Sequence, residues 1–233
     1  MYIFDLGMNN GDDTAYYLKL GYSVVALEAD PFWIRNAKNR FKAEIQSGML
    51  ILVNKAFSDS TDIVKFYVNH ENRHWSSLNV NWASRNGSSV EEVCIQGIEL
   101  RGLTEEFGVP IFIKIDIEGS DIEVLRQLTF EKNIPTYLSI EDCYLGYEYL
   151  EILLTLGYRK FCLSDQSKVK DLQSFIVDHE FSEGSSGPFG PFLPYRWYSW
   201  HDFREIYGSL VRGKDLKRLA PLPTWWDIHA SLI

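Results

Sequence analysis

Cysteine is scarce: the 233 residues include three, Cys94, Cys143 and Cys162, far apart and each inside an apolar stretch. Such spacing offers neither a disulfide framework nor a zinc pattern, so three buried free thiols in a reducing, cytoplasmic environment are expected. No apolar run reaches the roughly 18 residues that a membrane-spanning helix needs. The first residues carry no basic segment, and Asp5 interrupts the opening apolar stretch, so they do not read as a secretion signal. Cations are outnumbered as well, with Lys plus Arg at 23 against Asp plus Glu at 32 and a formal net charge of -9. Nucleic-acid binding needs a basic face against phosphate, so this balance points away from a nucleic-acid partner. No internal repeat is visible.

Hydrophobic residues are plentiful, at 45%, which suffices for a sizeable core in a single domain over residues 1–233. Through residue 165, short apolar runs alternate with amphipathic segments. "YIFDLG", "SVVALEAD", "MLILVNKAF", "IFIKIDIEG", "TYLSIEDC" and "RKFCLS" read as core strands. Between them "DDTAYYLKLG", "PFWIRNAKNRFKAEIQ", "ELRGLTEEFG", "DIEVLRQL" and "EYLEILLTLG" read as helices, with Pro31 suited to a first turn. "DIVKFYVN" and "VEEVCIQ" look like an added strand pair. Strands apolar on both faces and separated by helices imply a covered parallel sheet, here an α/β fold with a seven-stranded, mostly parallel sheet. Two stretches break the rhythm. Residues 69–89 are polar with embedded Trp, and residues 183–203 ("EGSSGPFGPFLPYRWYSWHDF") are rich in Gly, Pro and aromatics. Loops this long in a compact domain are usually functional, so 183–203 is expected to be an ordered lid over an acceptor site. The stretch "APLPTWWDIHASLI" is expected to pack back on the body through Trp225 and Trp226.

The opening loop, "FDLGMNNGDDT", carries glycines at Gly7 and Gly11 between a strand and a helix. A glycine turn there lets a ligand approach the backbone and the free N–H groups of the helix. The second strand ends in Glu28, with Asp30 just after, where a carboxylate can accept both hydrogen bonds from a ribose diol. Together they point to an adenosine cofactor. A dinucleotide loop would carry a middle glycine where this chain has Asn9, and Asp12 and Asp13 would repel a pyrophosphate while tolerating a sulfonium. S-adenosylmethionine fits better than NAD.

These residues resemble the FkbM-type S-adenosylmethionine-dependent methyltransferases. "FDLGMNNGDDT" is similar to that family's first cofactor motif, "ALEADP" to its acidic second-strand end, and "NKAFSD" to its third-strand segment. "FIKIDIEGSDIEVLRQL" resembles its most distinctive motif, and the Ser-Ser-Leu of "HWSSLN" a further element. The resemblance covers roughly residues 2–162. It implies a class I Rossmann-like methyltransferase fold, with 1–165 as cofactor-binding core, and O-methyl transfer to a hydroxyl of a sugar, glycan or natural product. Carried over residue by residue, it implies a cofactor site at Asp5, Gly7, Asn9, Gly11, Thr14, Glu28, Ala29, Ser58 and Asp116. The chain starts at the first strand without the family's usual leading segment, which suits a domain excised from a larger glycan-assembly enzyme.

Ligands of open parallel sheets bind beyond the C-terminal strand ends. "KIDIEG" puts Asp116 and Glu118 at one such end and "SIEDC" puts Glu141 and Asp142 at the next. Converging carboxylates repel unless a cation lies between them, so Mg²⁺ or Mn²⁺ on Asp116, Glu141 and Asp142 is expected, a set similar to that of metal-dependent macrolide sugar O-methyltransferases. Alternatively, Glu118 and Glu141 bond backbone amides or Lys114 and no metal binds. Methyl transfer requires alignment of the hydroxyl and removal of its proton, for which Asp116, His201 and His74 are candidates, with His179 and His229 weaker. Trp75, Ser76, Glu118, Trp197 and Trp200, with Trp82, are the candidate acceptor wall, because sugar rings stack on aromatic faces. The rival readings are an NAD-dependent oxidoreductase and a non-catalytic S-adenosylmethionine-binding module. Against the module count the intact carboxylates at both strand ends.

Overall fold

The computed structural model describes residues 1–172 and 176–233. Its strands are β1 (Tyr2–Leu6), β2 (Ser23–Leu27), β3 (Leu50–Val53), β4 (Ala56–Phe57), β5 (Ile63–Asn69), β6 (Val90–Ile98), β7 (Phe112–Ile115), β8 (Tyr137–Glu141), β9 (Lys160–Asp165), β10 (Tyr198–Ser199) and β11 (Trp226–Ser231). The helices are α1 (Asp12–Lys19), α2 (Pro31–Arg40), α3 (Lys42–Gln46), α4 (Val80–Ala83), α5 (Leu100–Phe107), α6 (Asp121–Leu128), α7 (Gly146–Leu156) and α8 (Trp200–Leu210). The main sheet runs β10-β9-β11-β8-β7-β1-β2-β3, eight strands, and a second sheet runs β4-β6-β5. Pairing is parallel from β3 through β2, β1 and β7 to β8, while β11 lies antiparallel between β8 and β9. The six core strands read from the sequence are β1, β2, β3, β7, β8 and β9; β11 is the seventh, and two-residue β10 adds an eighth at the edge.

The order follows from which faces are apolar. All four residues of β7 are buried, as a central parallel strand covered on both sides requires. One face packs against α5, α6, α7 and α8 through Leu103, Leu125, Leu150 and Phe203. The other packs against α1 and α2 through Tyr16, Tyr17 and Ala37. The result is a Rossmann-like sheet with helices on both faces.

Three expectations change. The stretch read as a tail that packs back is strand β11, in the middle of one half of the sheet. Its apolar residues Trp226, Ile228 and Ala230 alternate with Asp227, His229 and Ser231, but the polar members are buried as well, so the strand lies inside the sheet where its alternation suggests a half-exposed one. Cys94 is exposed on β6 and Cys143 half-buried, leaving Cys162 as the buried thiol. The 183–203 loop also divides. Glu183 and Gly184 reach the cavity described below, but Phe189 is 1% exposed. Its ring stacks on Phe112 at 4.2 Å and 5° and meets Tyr17 edge-on at 5.6 Å. The aromatic centre of the loop is therefore core packing on the α1 side of the sheet. Beyond it, β10 pairs with Phe161 and Lys160 at the start of β9, and Trp197 packs near Tyr137 at the start of β8. Trp197, Trp200 and His201 thus sit at the end of the sheet opposite the C-terminal strand ends.

Phe189→Ala is expected to destabilise the protein by about 3–5 kcal/mol, the usual loss for truncating a buried aromatic. Denaturant unfolding checks this, and a change below about 1 kcal/mol would place the ring outside the core.

Candidate active site

The loop after β1 folds back under tight constraint. Gly7 has φ +85°, and a Cβ there would lie 1.8 Å from the carbonyl oxygen of Asp116, so only glycine allows this approach to the end of β7. The amides of Gly7 and Met8 both donate to the Leu27 carbonyl at 3.0 Å. Asn9, itself at φ 52°, donates its amide to Glu28 Oε2 at 2.8 Å, while the Asp30 amide donates to Oε1 at 2.7 Å. The Glu28 carboxylate therefore braces both the β1 loop and its own strand end. Burial pushes its pKa up to about 7, against the two amide bonds that favour the charge.

Beneath the loop lies a buried ionic group. Asp5 accepts from Thr14 Oγ1 at 2.5 Å. Lys114 Nζ donates to the Gly7 carbonyl at 3.0 Å and lies 3.4 Å from Asp5 and 3.5 Å from Asp116. Burial acts to lower the lysine's pKa, but Asp5, Asp116, Asp13 and Asp227 together hold it above the usual range.

The C-terminal ends of β1, β2, β7 and β8 open into a cavity of about 670 Å³. Of the expected cofactor residues, Gly7, Asn9, Glu28, Ala29 and Asp116 line it. Asp5, Gly11, Thr14 and Ser58 do not. Asp5 and Thr14 form the layer under the loop, Gly11 is the left-handed N-cap of α1, and Ser58 accepts the Ser60 amide. Of the expected acceptor and catalytic residues, His74, Trp75, Ser76 and Glu118 line the same cavity. His74 Nδ1 meets Asn9 Nδ2 at 3.0 Å, and burial lowers its pKa, so the ring is neutral at pH 7. Glu118, at φ 52°, accepts from Trp82 Nε1 at 2.6 Å and Arg85 Nη1 at 2.9 Å on one oxygen, Oε2. Its backbone is pinned by Ser77 Oγ at 2.6 Å. Burial holds its carboxyl well above the usual range.

Several sequence expectations fail on partners that lie far away in the chain. Asp12 pairs with Arg40 at 2.6 Å. Asp13 accepts the amides of Ser186 and Gly187 at 3.0 and 2.8 Å, and burial raises its pKa to about 6. Neither acid is therefore reserved for a ligand's charge. The metal set fails at its third member. Asp142 is 6% exposed and engaged by Arg212 at 2.7 Å and by the Tyr207 hydroxyl, and among the described residues no group of acids, histidines or cysteines is arranged to hold a metal. Asp116, Glu141 and Asp142 do not fit a divalent cation. The histidines expected to be weaker candidates are remote: His179 packs on Phe181 at 4.7 Å, and His229 is buried in β11.

Sequence reading missed part of the wall. Phe66 of β5 and Phe57 of β4 line the cavity, so the added sheet supplies an apolar side, and Tyr144 lies 6.2 Å from the Trp82 ring. The strand pattern of "DIVKFYVN" was visible, but nothing local tied it to the loop after β1.

A family model described as the methyltransferase FkbM domain matches residues 5–162. No curated protein matches the sequence. Among solved structures the chain is similar to methyltransferase FkbM from Methylobacillus flagellatus KT, at 16% identity and TM-score 0.45, over 68% of this chain and 38% of that one. It therefore spans less than half the length of that protein. It is also similar to a SAM-dependent methyltransferase from Archaeoglobus fulgidus (12% identity, TM-score 0.44, 99% of this chain and 85% of that one). A third is a precorrin-6y C5,15-methyltransferase from Geobacter metallireducens GS-15 (12%, 0.43, 99% and 78%). The family match takes in the Gly7 loop, Glu28 and the strand end at Asp116, and the chain belongs to the FkbM methyltransferase domain family.

Proposed function

We propose that this methyltransferase moves a methyl group from S-adenosylmethionine to a hydroxyl oxygen of a sugar or glycan. The observation that carries the reading is one cavity joining the Glu28-braced loop to a carboxylate set among aromatic rings. Each Glu28 oxygen keeps a second lone pair after accepting its amide, enough for the two hydroxyls of a ribose. Gly7 gives the close backbone approach, and Ala29 and Phe66 give an apolar side for an adenine. S-adenosylmethionine, when bound, supplies a methyl already activated on a sulfonium. The protein then has to orient the acceptor oxygen and take its proton.

Trp75, Trp82 and Ser76 form the acceptor side, with Asp116 and Glu118 as the available carboxylates. Glu118 is the better placed base. Trp82 and Arg85 fix one oxygen, and the other has no protein partner among the described residues. His74 is a weaker base, because accepting from Asn9 at Nδ1 leaves the proton on Nε2. It can instead orient an acceptor by donating. Trp197, Trp200 and His201 take no part in this reading, since they lie at the opposite end of the sheet.

Radiolabelled methyl transfer to a panel of sugars tests the reaction, and calorimetry tests the cofactor. S-adenosylmethionine should bind and NAD should not. Glu28→Ala should lose about 1.5–3 kcal/mol of binding, the worth of charge-assisted bonds. Because the ionised carboxylate accepts the diol, wild-type affinity should rise as pH climbs through about 7. An affinity indifferent to both the substitution and the pH would remove Glu28 from the cofactor site.

Glu118→Gln should leave cofactor affinity intact while lowering kcat about 10²–10⁴-fold, the contribution of a positioned base. Since the carboxylate is the active form, wild-type kcat should fall as pH drops through a pKa above the ordinary carboxylate range. An unchanged kcat in the variant would transfer the role to Asp116.

A further inference from the structure

Residues 211–219 form a hairpin on the rim of the cavity. Leu219 donates its amide to Val211 at 2.8 Å, and Gly213 donates to Lys217 at 2.9 Å. The hairpin is anchored at its base by the buried Arg212–Asp142 pair, and Tyr147 donates to the Arg212 carbonyl at 2.8 Å. Arg212 also closes the turn by donating to the Leu216 carbonyl at 2.8 Å. Arg212, Arg218 and Trp225 all line the cavity. This segment is thus fixed in place against the cavity.

Its outer surface is unusual for this chain. Leu216 is 51% exposed, Leu219 48%, Leu222 75% and Trp225 37%. Lys214, Lys217 and Arg218 are exposed among them. Asp215 is the one acid of the turn and is ion-paired with Lys217 at 3.2 Å. In a protein of net charge -9, the exposed stretch 214–218 holds three cations and one acid. Singly scattered leucines need no explanation, but leucines, a tryptophan and cations interleaved along a braced hairpin and the residues that follow it match the chemistry of a lipid interface. There the cations meet anionic headgroups, apolar side chains enter the acyl boundary, and tryptophan sits at headgroup level.

We propose that the 211–225 rim docks on an anionic lipid surface, turning the cavity mouth toward the membrane so that a lipid-borne acceptor can reach it. The docking itself does not depend on the acceptor being a sugar, and it is measured without turnover.

The test is co-sedimentation of the protein with vesicles of mixed phosphatidylcholine and phosphatidylglycerol, against vesicles of phosphatidylcholine alone. The mixed vesicles should carry the protein down and release it as salt rises, while the neutral ones should not. Lys214→Glu with Lys217→Glu, and separately Leu216→Asp with Leu222→Asp, should each weaken vesicle binding by about tenfold or more. All four positions are exposed, so melting temperature and S-adenosylmethionine affinity should match the parent. No binding to the mixed vesicles, equal binding to both kinds, or variants that bind like the parent would overturn the proposal. So would a dimer in sedimentation equilibrium that the same variants dissociate without vesicle binding, which would assign the surface to a second copy of the chain. Failure of the parent to bind S-adenosylmethionine would count against the cofactor reading and leave the vesicle result standing.

Discussion

The buried ammonium of Lys114 is the contact on which the rest of the site depends. It sits mid-sheet on β7, 3% exposed, and touches the β1 loop at the Gly7 carbonyl, the β1 strand at Asp5 and its own strand end at Asp116. Gly7 can lie against Asp116 because the two backbones are pulled together on either side of this charge. Asp5 Oδ1 is buried with no hydrogen-bond partner among the described residues, so its contact with the cation at 3.4 Å is what compensates it, and loss of the cation would leave it uncompensated. A single uncompensated buried charge is among the most destabilising defects a core can hold. The loop that shapes the cavity is therefore positioned from below by electrostatics as much as from its own glycines.

That arrangement explains how so many acids coexist around one cavity. Each is paired or bonded separately: Asp121 accepts the amides of Ile117 and Gly119 at 2.9 Å, Asp142 holds Arg212, Glu118 holds Arg85 and Trp82, and Glu28 holds two amides. A cation bridging the strand ends is not required to relieve their repulsion. Glu141 is the exception. It has no hydrogen-bond partner among the described residues, and burial, then Asp116 and Glu118, push its pKa well above the ordinary value.

The legible parts of this protein were those fixed by neighbours in sequence. The core strands β1, β2, β3, β7, β8 and β9 follow from apolar runs, and the turn at Gly7 and the acid at Glu28 follow from their places at strand ends. What sequence could not reveal depends on contacts across the fold. Asp142 looked like a metal ligand until Arg212, seventy residues on, was seen to hold it. Asp13 looked free until the amides at Ser186 and Gly187 closed on it. The aromatics of 183–203 looked like a lid because density of rings predicts burial without saying under which face. Phe189 went to the α1 face, and its neighbours went to the far end of the sheet.

The place of β11 has a consequence for how the chain acquires its structure. Strands β8 and β9 are both its partners, and it pairs with Tyr137–Glu141 on one side and Lys160–Asp165 on the other. Until residues 226–231 leave the ribosome, that half of the sheet has a gap where a strand belongs. At typical synthesis rates of about 5–20 residues per second, the gap stays open for several seconds after β9 emerges. During that interval two apolar strands present unpaired edges, the kind of surface that other chains and chaperones recognise. Late closure makes the nascent protein most vulnerable beside the strand end that will later carry Glu141.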